Sequence, residues 1–258
     1  MKSISLYEEK GSFLNRLSPE SKIYYVLAAI LVPAFLGISM AGVGFMIVSI
    51  CLLSGSRVLR KTVPILGVSG FVVLTVLVIQ GMFRAGNETA VFSLWKFTFY
   101  KEGLMFALGI AINVFNIILC FCVLVLTTKP SDMIENFVRR GFSPRFGYVF
   151  ISLFQLIPQM TEKMATITDA QKSRGMETEG SLIVRMKAFL PLISPVIMSS
   201  FTDTKERAIA LEVRGFNAKN PKTFLNEPHT TSLDKGIQYL LAALAVLSIV
   251  WRIISWLR

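Results

Sequence analysis

Apolar residues in this chain come in long blocks separated by charged stretches. No Asp, Glu, Lys or Arg interrupts Ile23–Ser56, Thr62–Phe83 or Gly103–Thr128. Gly236–Leu257 is a fourth block with one charge, Arg252, close enough to the end to snorkel. A helix needs about 20 apolar residues to cross about 30 Å of hydrocarbon. Each block reaches that length and is therefore a membrane span. The first is much the longest and raises the question of two. Phe146–Thr161 and Ala188–Thr202 fall short of a span and fit buried or interfacial helices. Within the first block, Pro33, Gly37, Gly42 and Gly44 offer places to turn a tight hairpin of two short spans.

The loop charges arbitrate. With five spans and the N-terminus inside, 22 Lys and Arg lie on one side and 5 on the other; four spans give at best 18 against 9. Basic residues collect on the cytoplasmic face of short loops. When the long connector is trimmed to about 20 residues nearest each span, the counts become 14 against 5 and 10 against 9. Both counts favour five spans: 23–38, 41–56, 62–83, 103–128 and 236–258. The expected architecture is an all-α polytopic membrane protein. It has an N-terminal membrane domain (1–128), a cytoplasmic domain (129–235) and a C-terminal span in a cell (inner) membrane. The first twenty residues hold Glu8, Glu9, Lys10, Arg16 and Glu20 and no early apolar core, so the first block reads as an uncleaved anchor.

Composition agrees. Hydrophobic residues make up 53% of the chain, about 60% with glycine, against about 45–50% in soluble domains. The net charge of +11 reads as basic loops at a membrane and not as a nucleic-acid footprint. Cys51, Cys120 and Cys122 all lie in apolar runs; Cys120 and Cys122, two apart, point to nearly opposite helix faces. No disulfide framework or zinc site follows. One histidine, His229, leaves little room for histidine chemistry. The spans offer only Gln80, Asn113, Asn116 and Arg252 as polar groups. An ion-coupled carrier usually needs carboxylates or histidines there. Asn113 and Asn116, three apart, read as an interhelical hydrogen-bonding pair.

The connector 129–235 must carry the chemistry. Its charges, 15 basic and 11 acidic, and its Phe, Ile, Leu and Met content are those of amphipathic helices. Three Arg-Gly pairs lie in it, each followed by an apolar residue: Arg140-Gly141-Phe142, Arg174-Gly175-Met176 and Arg214-Gly215-Phe216. An Arg in the last helical turn with Gly just beyond is the ordinary end of a helix, and it accounts for Arg140-Gly141. The other two share more. Ala170 precedes Arg174 by four positions, and Ala210 precedes Arg214 by four, so Ala-x-x-x-Arg-Gly occurs twice. Residues four apart share a helix face, and a small residue there lets another surface approach. Two matched arginines fit either two caps or two groups offered to a partner's carboxylates, for which the planar guanidinium is suited. Five methionines in the connector (160, 164, 176, 186 and 198) suit either adaptable partner surfaces or core filling. Pro158, Pro191 and Pro195 mark bends or helix starts.

These motifs resemble the transmembrane T component of energy-coupling factor (ECF) transporters. That family carries Ala-Arg-Gly at the ends of two long cytoplasmic coupling helices. The matching positions are Ser173-Arg174-Gly175 and Val213-Arg214-Gly215, with Ser and Val in place of Ala. Leu17-Ser18-Pro19-Glu20-Ser21-Lys22 is similar to the family's Leu-Asp-Pro-Arg-x-x-Lys stretch, and Thr127-Thr128-Lys129-Pro130 to its Thr-Thr-x-Pro. The resemblance implies a scaffold and not an enzyme, serving an importer of a vitamin or a metal ion such as cobalt or nickel. It implies three partners besides the bilayer: two cytoplasmic ATP-binding subunits and one substrate-binding membrane S component. Arg174 and Arg214 are the implied docking residues, framed by Ala170, Ser173, Gly175, Ala210, Val213 and Gly215. No cofactor is expected on this chain; ATP and Mg belong to the ATPases. The residues agree, since no Gly-x-x-x-x-Gly-Lys-Ser/Thr loop is present. The rivals are a polytopic membrane enzyme, for which Asp169, Glu177 and Glu179 are the nearest acidic cluster, the permease of a conventional ABC importer, and a solitary channel.

Overall fold

The computed structural model describes residues 14, 17–37, 39–86, 88–94, 97–177, 181–218, 223–224 and 232–257. His229, Glu179 and the charged residues before Leu17 lie outside them. The described residues form eight helices and one hairpin: α1 (Pro19–Leu36), α2 (Ser39–Gly55), α3 (Leu59–Phe83), β1 (Ala90–Leu94), β2 (Phe97–Tyr100), α4 (Lys101–Thr127), α5 (Pro130–Arg139), α6 (Pro144–Ser173), α7 (Leu182–Val213) and α8 (Ser232–Leu257). The chain is an all-α polytopic membrane protein. Among the described residues, five helices are long and apolar enough to cross a membrane: Pro19–Leu36, Leu59–Phe83, Lys101–Thr127, Leu182–Val213 and Ser232–Trp256. Met40–Gly55 is a shorter apolar helix.

This set differs from the sequence expectation at α2, which is shorter than the other spans where 41–56 was expected to be one, and at α7. Counting charge-free residues stops the run at Lys187 and Asp203, but the helix continues through both, gaining Leu182-Ile183-Val184 at one end. The prolines differ too. Pro158, Pro191 and Pro195 lie inside continuous helices and start none of them. The stretch after α3, left without structure by the sequence reading, is an antiparallel hairpin with an irregularity between Ala90 and Phe92. Phe92 stacks on Phe99 at 4.7 Å. The Glu102 carboxylate accepts hydrogen bonds from the Thr89 hydroxyl and, at 3.3 Å, the Thr89 N–H.

Two compact units emerge: one holds α1 to α4, α5 as far as Asn136, and α8; the other holds α6 and α7. The second is narrower than the expected 129–235, because Met133 in α5 joins the core of the first. In that first unit α4 is central. Its Cys120 and Leu124 pack with Tyr25, Val26, Ala28, Ala29 and Val32 of α1 and Leu241 of α8. Its Leu119, Cys122, Val123 and Leu126 pack with Leu53 of α2. The two cysteines thus serve separate cores, as a two-residue spacing on a helix requires. All three cysteines are free thiols.

The turn between α1 and α2 falls at Gly37, whose φ of +63° caps α1 in the left-handed conformation. Gly42 serves packing: a Cβ there meets Ile112 Cγ2 at 3.1 Å, so it lets α2 lie close against α4. The asparagines separate. Asn116 is buried and donates to the Ala29 carbonyl of α1 at 2.7 Å, while Asn113 is exposed. The expected pair is therefore one interhelical hydrogen bond from Asn116 alone. Residues three apart still differ by about 60° around the helix, and here that difference turns Asn116 towards α1 and leaves Asn113 exposed.

A buried polar cluster joins three helix ends. Ser18 caps α1, with Pro19 in the first helical position. The Asp234 carboxylate of α8 accepts from the Ser18 N–H at 3.2 Å and the Ser21 hydroxyl at 3.2 Å. Gln238 donates to the Ser21 hydroxyl at 3.0 Å. Lys22, 3% exposed, donates to the Thr127 carbonyl at 2.8 Å and the Thr128 hydroxyl at 3.2 Å. The ammonium thus satisfies a carbonyl left open at the C-terminus of α4 and sits at the negative end of its dipole. Two motifs far apart in the chain, Leu17–Lys22 and Thr127–Pro130, meet here.

Candidate partner-docking site

The second unit is built on α6 and α7. Pro144 occupies the first helical position of α6, after Ser143. The helices are antiparallel: Tyr148 packs on Phe216, Gln159 accepts from Arg207, and Lys163 bonds Ser199 and Asp203, so partners fall in number along α7 as they rise along α6. The Arg174 and Arg214 motifs are accordingly not brought together. They stand at opposite ends of the pair.

Each motif is a helix terminus of one kind. Arg174 is the C-cap of α6; Gly175, at φ +85°, donates to the Lys172 carbonyl at 2.9 Å and Met176 to Gln171 at 3.1 Å. Arg214 is the C-cap of α7; Gly215, at φ +69°, donates to Glu212 at 2.9 Å and Phe216 to Leu211 at 2.9 Å. This is the Schellman motif, in which a left-handed residue lets two N–H groups turn back onto open carbonyls. Arg140-Gly141 closes α5 identically, with Gly141 at φ +104° bonding Val138 and Phe142 bonding Phe137. Capping therefore explains the glycine in all three places. It places no demand on the arginine.

Both arginines are exposed, and among the described residues neither guanidinium has a hydrogen-bond or ion-pair partner. Ala170, Ser173 and Ala210 are exposed as well. The Ser173 hydroxyl donates to the Asp169 carbonyl at 3.0 Å, turned back on its own helix. Val213 is 82% exposed, an apolar side chain beside an unpartnered charge. Arg is enriched at interfaces and becomes an anchor when a partner desolvates it, so an exposed Arg beside an exposed apolar side chain is a fitting start for one. Among the described residues no group of three or more His, Cys, Asp or Glu gathers into a metal site.

The glycines permit a local prediction. No atom lies within 4 Å of a Cβ built on Gly175, so substitution there changes backbone strain and little else. A non-glycine residue in the left-handed region costs about 1–2 kcal/mol, less for Asn. Gly175→Val is expected to speed amide exchange at Met176 about tenfold, while Gly175→Asn stays near the parent rate. Hydrogen exchange with mass detection reads both.

Sequence reasoning passed over the crossing itself. Lys163 and Asp203 are 40 positions apart, the same offset that separates Arg174 from Arg214 and Ala170 from Ala210. Extending the repeat backwards from the motifs finds it.

The sequence profile of the cobalt transport protein family, CbiQ, matches residues 10–224. The energy-coupling factor transporter transmembrane protein EcfT of Lactococcus lactis is 25% identical, over 96% of this chain and 97% of its own. EcfT of Brevibacillus brevis is 29% identical over the same shares. EcfT of Bacillus subtilis is 26% identical over 95% of this chain and 96% of its own.

Proposed function

The chain belongs to the cobalt transport protein (CbiQ) family, and on that premise we propose that it couples two cytoplasmic ATPase subunits to a substrate-binding membrane protein. Arg174 and Arg214 are the docking groups, one for each ATPase. The observation that carries this reading is the match between the two tips. Each is an exposed arginine on an identical cap, without a partner among the described residues, and each lies eleven positions beyond the Lys163–Asp203 contact. Eleven residues of helix span about 16 Å. Two equal arms suit two equivalent partners. A conventional importer permease needs one coupling helix and gives no reason for the repeat.

In this reading each guanidinium enters a groove on an ATPase and forms paired hydrogen bonds with acidic side chains. Ala170 and Ala210 keep the approach open, and Val213 adds apolar contact. ATP-driven closure of the ATPases moves the tips, and the helices carry that motion to the protein that holds the substrate, a vitamin or a metal ion. ATP and Mg stay on the ATPases. In this reading the connector lies on the cytoplasmic side, which the basic residues around it favour, and α7 belongs to it although it is long and apolar enough to cross a membrane.

Affinity purification of the tagged chain from its native membrane in mild detergent tests the reading. Mass spectrometry is expected to find two nucleotide-binding ATPases and a small membrane protein in near-stoichiometric yield. A folded chain that elutes without any ATPase overturns it.

A further inference from the structure

The crossing of α6 and α7 holds a polar group set that docking does not use. Lys163 of α6 bonds the Asp203 carboxylate and, at 2.9 Å, the Ser199 hydroxyl of α7. Arg207 of α7 bonds Gln159 of α6 at 2.5 Å. The Lys163 and Asp203 side chains are each 33% exposed. Both charge-free runs end here: the run in α6 stops at Thr161 and the run in α7 at Thr202. Upstream, each helix offers apolar side chains that can slide past a neighbour by a turn at little cost. A polar pair among such surfaces fixes one register, because any shift leaves its charges unpaired.

The placement is symmetric. The offset that relates the two tips also maps Lys163 onto Asp203, so their contact lies on the local two-fold relation between the arms. A contact on that relation is equally far from both tips and constrains both.

We propose that Lys163 and Asp203, supported by Ser199, Gln159 and Arg207, are positioning residues that form the pivot of the two arms, fixing their register and angle. The pivot's part in coupling rests on the docking reading above; its part in fixing the arms does not.

The test separates the two. Spin labels at Ser173→Cys and Val213→Cys, in a Cys51→Ser background, report the tip-to-tip distance by pulsed electron resonance. The full chain sits in lipid nanodiscs, alone and with its copurified partners. Arms of about 16 Å each place the tips within about 33 Å of one another along the pair, inside the range of the method. The parent is expected to give one narrow distribution. Lys163→Asp or Asp203→Lys broadens it at least about twofold, and the exchange Lys163→Asp/Asp203→Lys restores it, since the pair is re-formed with its signs reversed. Single variants that stay as narrow as the parent overturn the pivot, as does an exchange variant that stays broad while eluting as a folded monodisperse chain. Copurification of ATPases with the unlabelled parent is scored separately. Its absence sinks the docking reading and leaves the pivot result standing on its own.

Discussion

Reversing both tip charges, Arg174→Glu with Arg214→Glu, is expected to strip the ATPases from the complex and abolish transport while the membrane unit stays folded. Both side chains are exposed and have no partner among the described residues, so the substitutions remove nothing that holds this chain together. Surface changes of that kind usually alter stability by less than about 0.5 kcal/mol. At an interface the effect differs. Truncating one member of a desolvated charge pair costs about 2–5 kcal/mol, and reversal adds like-charge repulsion. Each tip therefore loses about 30-fold to 4,000-fold in affinity. Two tips act together through one rigid pair, so a single reversal weakens the assembly and the double reversal ends it. Arg174→Lys, which keeps the charge and loses the fork, is expected to fall between. Arg140→Glu is the control: the same cap at the end of α5, outside the repeated motif, and docking is expected to change less than about twofold. Pull-down with quantitative mass spectrometry reads all four.

The second large effect concerns stability. Asp234 is 2% exposed and accepts from both the Ser18 N–H and the Ser21 hydroxyl. Asp234→Ala removes the acceptor of the buried Ser18 N–H, at a cost of about 1–3 kcal/mol, and takes from the Ser21 hydroxyl its charged acceptor, leaving it the Ser18 hydroxyl at 3.0 Å. The expected loss is about 3 kcal/mol, and unfolding in detergent is expected to begin about 6–12 °C lower. Asp234→Asn keeps an acceptor oxygen in place and should lose about half as much. Lys22→Met is expected to act in the same direction through the Thr127 carbonyl it uncovers. Fluorescence-detected thermal unfolding distinguishes these. Equal melting points for Asp234→Ala and parent would show that the cluster does not join α1 to α8.

Four of the five expected spans, α1, α3, α4 and α8, were legible because lipid imposes one rule, that a span be long and apolar. The hairpin at Gly37 followed from glycine's access to positive φ, and the helix ends at Arg174 and Arg214 from the capping preference of Arg-Gly. Other features depend on partners that a linear reading does not see. Asn113 and Asn116 look equivalent in sequence, and only the position of α1 decides that Asn116 is the one that bonds. The Phe92–Phe99 hairpin is short and lies between spans, where hydropathy blocks mask a two-residue period. α7 was underestimated because charges end a hydropathy run without ending a helix. The prolines at 158, 191 and 195 sit inside helices because losing single backbone bonds is tolerable where a long helix packs on another. The Lys163–Asp203 contact was written in the repeat that relates the two motifs, but only the antiparallel pairing of α6 with α7 gives that repeat a geometry.

The most direct measurement of the central claim is a crosslink from each tip. A photoreactive residue is placed at Ser173 or at Val213, each beside its arginine, and activated in intact native membranes. The account predicts that each position captures a nucleotide-binding ATPase, and that Arg174→Glu and Arg214→Glu each erase the adduct at their own tip. If both positions instead label only lipid or water while the membrane helices remain folded, the tips are helix caps and nothing more, and the account is contradicted.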